Sequence, residues 1–111
     1  KLIDVHPDGY QMLVRGDVFP VRYRNGLDDP QPAVPGAPMN IEFIMNDVAH
    51  WIHPGHKLMV QIQSSCFPLV NMNPQRFLDN IYEASADDYQ ISDITVYHQK
   101  GKSSRIYLPL N

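Results

Sequence analysis

The sequence has one cysteine, little net charge and no long apolar run. Because Cys66 is alone among 111 residues, no disulfide can form within the chain, and cysteine usage leaves the compartment undetermined. No stretch approaches the roughly 20 apolar residues that a membrane-spanning helix needs. A net charge of −3 without a basic block argues against a polybasic face for nucleic acid or an anionic membrane surface. The sequence therefore predicts neither a nucleic-acid partner nor a membrane partner.

The composition predicts one small globular domain. Hydrophobic residues make up 43% of the chain and charged residues 19%, a balance typical of folded rather than disordered proteins. The chain does not begin with methionine, and residues 1–5 have the pattern of a strand rather than of a signal peptide. We interpret the chain as a fragment of a longer protein.

The clearest strand pattern follows the Pro54-Gly55 turn signal. From residue 58 to residue 63, apolar and more polar side chains alternate with period two, which is typical of a strand with one face on a core. The residues predicted to share the apolar face are Leu58, Val60 and Ile62.

An apolar loop follows this strand, at residues 66–70. Pro68 keeps the loop out of a central strand ladder, and so many apolar side chains are not expected to lie free in water. The sequence predicts that the loop folds over the end of the sheet or contacts another domain. The predicted interface or pocket contacts are Cys66, Phe67, Leu69 and Trp51.

The rest of the chain predicts short strands and no long helix. Prolines and glycines make residues 25–38 an irregular surface connection, and residues 75–80 are compatible with one helical turn. About seven short strands predict an all-β, antiparallel β-sandwich of the jelly-roll type. The predicted strands are 2–5, 10–14 (after a turn at 7–9), 18–24, 39–45, 58–63, 94–98 and 105–110, and residues 48–52 continue extended into the turn at 54–55.

Three histidines spaced three residues apart, His50, His53 and His56, raise the question of a metal site. This spacing would converge on a helix, but Pro54-Gly55 breaks any helix between them. We therefore expect the three rings to scatter, with His56 bonded to backbone at the turn, and we predict no metal ligands.

Candidate catalytic groups are weak as well. Ser64 and Ser65 lie outside any G-x-S-x-G nucleophile elbow, and Cys66 in an apolar loop is expected to pack as a small hydrophobe. The carboxylate pairs at 28–29 and 87–88 are interpreted as solvated turn residues. Trp51, Tyr82 and Tyr89 suit a sugar or acyl pocket, but scattered aromatics are more often core. The residues predict no catalytic group and no cofactor.

Five segments together resemble the C-terminal domain of the X-Pro dipeptidyl-peptidase and cocaine-esterase serine hydrolases. The likeness covers nearly the whole chain and is strongest to the α-amino-acid ester hydrolase and glutaryl acylase branch. The segments are Lys-Leu-Ile-Asp-Val-His-Pro-Asp-Gly at 1–9, Pro-Gly-His-Lys-Leu at 54–58, Ser-Ser-Cys-Phe-Pro at 64–68 with Asn-Pro at 73–74, Val-Tyr-His at 96–98 and Leu-Pro-Leu at 108–110.

The resemblance implies a galactose-binding-like jelly roll attached to an α/β-hydrolase domain that carries the Ser-Asp-His triad. Residues 1–111 would then be a partial domain that lacks the first strands of the jelly roll. Unpaired strand edges invite association, so a homo-oligomer is expected beside the hydrolase domain as partner.

These observations predict a non-catalytic β-sandwich domain of a serine hydrolase, one that packs on the hydrolase domain and shapes the substrate cleft. The parent would be an acylase, ester hydrolase or X-Pro dipeptidyl-peptidase. The alternative is a free-standing jelly-roll module that binds carbohydrate or another ligand.

Overall fold

Three short antiparallel strands form the main sheet of the computed structural model, which describes residues 1–109. β1 (Leu2–Val5) lies in the centre, with β2 (Gln11–Arg15) on one side and β3 (Lys57–Val60) on the other. In the register of this sheet, Ile3 lies opposite Leu13 on one side and Met59 on the other. The sheet thus joins the start of the chain to its middle.

Two tight turns at one end of β1 set this arrangement. In the turn between β1 and β2, Gly9 has φ +91° and its N–H donates to the His6 carbonyl at 2.9 Å. In the turn before β3, Gly55 has φ +85° and the His56 N–H donates to the His53 carbonyl at 3.1 Å. Both turns need a residue that adopts positive φ without steric cost, as glycine does. The predicted turns at 7–9 and 54–55 are confirmed.

The remaining regular structure is a two-stranded sheet and three single turns of 3₁₀ helix. β4 (His98–Gln99) pairs with β5 (Lys102–Ser103) across a turn at Gly101. Within residues 1–109 there is no α-helix, so the predicted all-β class is confirmed. The two sheets share no hydrogen-bonded strand, and the jelly roll stays a prediction. The 3₁₀ turns span Val21–Tyr23, Ile81–Glu83 and Ala86–Asp88.

Several predicted elements are wrong. The strand expected at 18–24 is replaced by the Val21–Tyr23 turn, because Pro20 has no N–H for a ladder and instead precedes that turn in extended conformation. A helical turn was expected within 75–80, but the observed 3₁₀ turn, Ile81–Glu83, begins directly after that segment, with Asn80 as its N-cap. The segments 39–45, 48–52, 94–97 and 105–109 pair with no strand in the described chain, and Leu110 lies outside the described residues.

The predicted core face of β3 is also wrong for this chain. Leu58, Val60 and Ile62 are 39%, 47% and 64% exposed, whereas Met59 on the opposite face is partly buried beside Ile3. The physical reason is that the cover on the Leu58 face is local: His50 and His56 bury Asp4, which lies opposite Leu58, but the described residues do not extend that cover over the apolar side chains. Within that range, Ile3, Asp4 and Pro74 are the buried residues.

The irregular connection at 25–38 has no strand ladder, and arginine side chains stabilise its path instead. The Arg24 guanidinium donates from Nη1 to the Gln31 carbonyl at 2.9 Å and from Nη2 to the Pro32 carbonyl at 2.8 Å. Arg22 donates to the Leu78 carbonyl at 2.7 Å and lies over the Phe77 ring. Charged donors on backbone carbonyls give a proline-rich segment a defined path without regular structure.

A carboxylate ties the end of β2 to the extended segment that precedes the histidines. Asp17 accepts from the Arg15 guanidinium at 3.1 and 3.3 Å, from the Asn46 backbone N–H at 3.1 Å and from its side-chain amide at 2.9 Å. The hydrogen bond from Arg15 and then those from Asn46 lower the pKa of Asp17, while partial burial opposes them.

We expect Asp17→Asn to destabilise the protein in a pH-dependent way. A lowered pKa in the folded state means that the ionised carboxylate stabilises the fold above the unfolded pKa of 3.8. That contribution is lost as pH falls through the still lower folded pKa. Urea midpoints of wild type and variant should therefore differ at neutral pH and converge below pH 3.8. A difference that stays constant across this range contradicts the prediction.

Candidate functional site

A buried carboxylate with histidines around it is the most distinctive polar feature of the fold. Asp4, on the central strand β1, has a side chain only 1% exposed. One carboxylate oxygen lies 2.9 Å from His50 Nε2 and the other 2.9 Å from His56 Nδ1. Since an ionised carboxylate only accepts, each of these ring nitrogens donates its proton. We call Asp4, His6, His50 and His56 the histidine cluster.

The two tight turns bring the cluster together. His6 directly follows β1 and His56 directly precedes β3, and the pairing of Val5 with Lys57 puts these two histidines side by side. Their ring centroids are 4.3 Å apart. His50 reaches the other oxygen of Asp4 from the extended segment before the second turn. His50 and His56, which follow Asp4 by 46 and 52 positions in the sequence, thus share its carboxylate.

The electrostatics favour an ionised Asp4. The hydrogen bond from His50 lowers the pKa of Asp4, as do the hydrogen bond and charge of His56 and the charge of His6. Burial of the carboxyl acts in the opposite direction but does not reverse the shift. The cluster is therefore a buried anion held by imidazole donors.

The prediction that the three spaced histidines scatter is wrong for two of them. His50 and His56 converge without a helix, because the partner at which they meet, Asp4, lies on a different strand. The His56 side chain was expected to bond to backbone at the turn, but it bonds to the Asp4 carboxylate instead. His53 makes no described bond to Asp4, although its ring lies 5.6 Å from that of His56.

His6 is the cluster member that the sequence analysis missed. A usable signal was present, because Asp4 and His6 are two residues apart in a strand pattern and so share a face. The adjacent Pro7-Asp8-Gly9 segment is a turn signal, and it predicts chain reversal at His6 rather than a functional side chain.

The predicted interface loop is exposed in this chain. Phe67 is 67% and Leu69 79% exposed, whereas Cys66 is partly buried and accepts at its carbonyl from the Val70 N–H at 3.1 Å. The Phe67–Pro68 peptide bond is cis. The loop is thus a closed turn that presents two large apolar side chains outward.

Phe67 also forms part of an open depression of about 330 Å³. We call it the Phe67 depression. Most of its lining residues are apolar or aromatic, but polar atoms form about half of the exposed lining, so the depression offers both apolar contact and hydrogen-bonding groups. The lining residues are Phe67, Asn71, Met72, Ile81, Tyr82, Ala84 and Tyr89.

Of the four predicted contact residues, Phe67 alone lines this depression. Trp51 is 72% exposed and does not line the Phe67 depression, and neither do Cys66 and Leu69. For Tyr82 and Tyr89 both a pocket and a core position were considered. They are 81% and 41% exposed, so neither is core, and both line the depression.

The groups considered for catalysis form no nucleophilic site in the described residues. No described hydrogen bond joins Ser64 or Ser65 to a histidine; the Ser65 carbonyl accepts from the Gln63 side chain. The interpretation of Asp88 as merely solvated is wrong, because it accepts from Ser85 at 2.8 Å and from Arg76 at 3.1 Å. These bonds from Ser85 and then Arg76 lower the pKa of Asp88. Asp88 therefore holds a turn and has no visible chemical role.

Comparison with known proteins identifies the family. A family model described as the X-Pro dipeptidyl-peptidase C-terminal non-catalytic domain matches residues 1–107. The chain belongs to this family. Cocaine esterase from Rhodococcus sp. (strain MB1 Bresler) is 34% identical to it over 73 residues. That match covers 66% of this chain and 13% of the esterase, so the chain corresponds to a small part of this relative.

Membership of the X-Pro dipeptidyl-peptidase C-terminal family confirms the resemblance seen in the sequence. No solved structure matches the chain. None of the helices in the described residues is long and apolar enough to cross a membrane. The family is a non-catalytic domain of peptidases and esterases.

Proposed function

We propose that this domain packs on the α/β-hydrolase domain of its parent enzyme and forms part of the wall of the substrate cleft. The parent would be a serine hydrolase that cleaves acyl, ester or X-Pro peptide bonds. The triad would lie in the hydrolase domain, and this chain would supply shape and stability.

The surface of the chain is the observation that carries the proposal. Its accessible area is 9630 Å², whereas a compact monomer of this mass exposes about 6,200 Å². Its radius of gyration is 16.6 Å, against about 13 Å for a compact domain of this length. Many large apolar side chains are among the exposed groups, Phe67 and Leu69 included, and contiguous exposed apolar patches commonly mark contacts with another surface. A covalently linked hydrolase domain is the partner that the family membership supports.

The loop at 66–70 and the Phe67 depression are the proposed contact. Both present aromatic and aliphatic groups outward, and Phe67 belongs to both. Burial of one such aromatic side chain contributes about 1.5–3 kcal/mol. Phe67 is thus the proposed anchor of the interface, with Leu69 and Cys66 beside it and Trp51 as a separate contact.

The complete domain would be a galactose-binding-like jelly roll, with residues 1–111 as its later part and the glutaryl acylase branch as its nearest group. The unpaired segments support this proposal, because 39–45 and 94–97 alternate as strands yet pair with none of the described residues. Missing first strands would be their partners. The outer edges of β2 and β3 would likewise pair with added strands or with a second copy of the protein.

The intact mass of the native protein tests this proposal. An antibody raised to residues 1–111 should detect a band several times larger than 12.7 kDa in the source organism. Light scattering on the purified native protein should then show an oligomer. A band at the mass of the chain itself overturns the hydrolase-domain proposal, and a dispersed native monomer overturns the oligomer.

A free-standing binding module is the second candidate function, favoured by the exposure of Trp51 and Tyr82. Exposed aromatic rings suit stacking on sugars. This candidate predicts a native band at 12.7 kDa and signal on a glycan array that Trp51→Ala abolishes. An array without signal counts against it.

A further inference from the structure

One ring nitrogen in the histidine cluster lacks a partner. His6 Nε2 is buried, and no group in residues 1–109 hydrogen-bonds to it. A buried imidazole nitrogen left unpaired carries a free-energy cost, so native proteins normally give it a partner. The partner of His6 is therefore a group other than the described residues.

The neighbours of His6 are metal-ligating groups. Asp4, His6 and His56 each offer a ligand atom, and these three atoms lie within 4.8 Å of one another. In a tetrahedral zinc site with ligands about 2.0–2.1 Å from the metal, neighbouring ligand atoms are about 3.3 Å apart. Small rotations of the two histidine rings, which sit at the ends of turns, would close this difference.

We propose that Asp4, His6 and His56 bind a divalent transition-metal ion of the zinc class. Two imidazoles and one carboxylate suit zinc and its neighbours, whereas calcium and magnesium prefer oxygen ligands alone. His6 would bind through its unpaired Nε2. The metal would take the place of the proton that His56 Nδ1 donates to Asp4, and the proton of that neutral imidazole would move to Nε2. His50 donates to the second oxygen of Asp4 and so orients the carboxylate, as partners behind metal ligands commonly do.

One of the proposed ligands borders an open depression. His6 lines this depression of about 400 Å³ together with Pro7, Gly9, Gly55 and Lys57, while Asp4 and His56 lie behind it. An ion bound there would link the turn after β1 to the turn before β3, and thus two segments about 50 residues apart in the chain. The metal would act as a structural clip on the sheet, a role independent of any hydrolase partner.

Zinc binding by the native protein tests this inference. After metal is stripped with a chelator, titration calorimetry with zinc chloride should show one site that is lost in His6→Asn and in His56→Asn. His50→Asn should weaken zinc affinity by roughly 10- to 100-fold, as is typical for residues that hydrogen-bond to metal ligands. The loss of affinity in His6→Asn and His56→Asn should be larger. Metal analysis should find one zinc equivalent less in the His6→Asn protein than in wild type.

Matched variants separate this site from any other zinc site. His53→Asn, close to His56 in space, and His98→Asn, on the exposed strand β4, should both retain wild-type zinc binding. Equal loss in these controls overturns the assignment, as does zinc binding that His6→Asn leaves unchanged. Wild-type protein that binds no zinc overturns it without recourse to any variant. A failure here leaves the intact-mass result unaffected, so the two proposals fail separately.

Discussion

Replacement of Phe67 by aspartate should detach the domain from the proposed hydrolase domain and lower both the activity and the stability of the proposed parent enzyme. A buried aromatic anchor commonly costs 2 kcal/mol or more on removal, and a charge placed in an apolar contact adds its desolvation cost. We expect docking to weaken by at least about 30-fold. Activity on an activated ester and protection of the domain from limited proteolysis should fall together.

Two variants make this result specific. Phe67→Leu keeps an apolar side chain in the same place and should retain most of the activity. Leu27→Asp adds the same charge at a side chain that is 84% exposed in the proline-rich connection, outside the proposed contact, and should have little effect. Unchanged activity and stability in Phe67→Asp would sink the docking proposal. Equal damage from Leu27→Asp would show that the 66–70 loop is not the contact.

Ile3→Ala should destabilise the three-stranded sheet more than any other single truncation of an apolar side chain. Ile3 lies on the central strand, is 6% exposed and sits opposite both Leu13 and Met59. Truncation of a buried isoleucine to alanine typically costs about 2–5 kcal/mol, because transfer free energy is lost and a cavity is left. Few other residues of the sheet are buried, so Ile3 supplies a large share of the buried apolar surface that stabilises it.

Hydrogen exchange of the native protein measures this effect at the sheet itself. Amides of β1–β3 should exchange at least roughly 30-fold faster in Ile3→Ala than in wild type, provided that they exchange through opening of the sheet. Ile3→Val is the matched control, since it removes one methylene and costs only about 0.5–1.5 kcal/mol. Equal exchange in the alanine and valine variants would show that Ile3 does not anchor the sheet.

The sequence by itself determined the local structure and the family. The strand patterns at 2–5 and 10–14 and the turn chemistry of Gly9 predicted the hairpin to within about a residue. Period-two alternation at 58–63 after the Gly55 turn predicted the third strand, which ends at Val60, three residues earlier than predicted. These signals are local, since they depend on side-chain direction and on backbone conformation over a few residues. The five family segments, taken in order, were sufficient for the family assignment.

Only the tertiary structure decided which residues meet and which faces are covered. The alternation at 39–45 predicted a strand, but a strand needs a neighbour, and none of the described residues supplies one. Asp4 contacts His50 and His56 because strand pairing brings two distant turns together. The spacing of the histidines within one segment does not predict that pairing. The pairing of distant segments, which the periodicity of a single segment does not specify, therefore created the histidine cluster, and the lack of further cover left Leu58 and Val60 partly exposed.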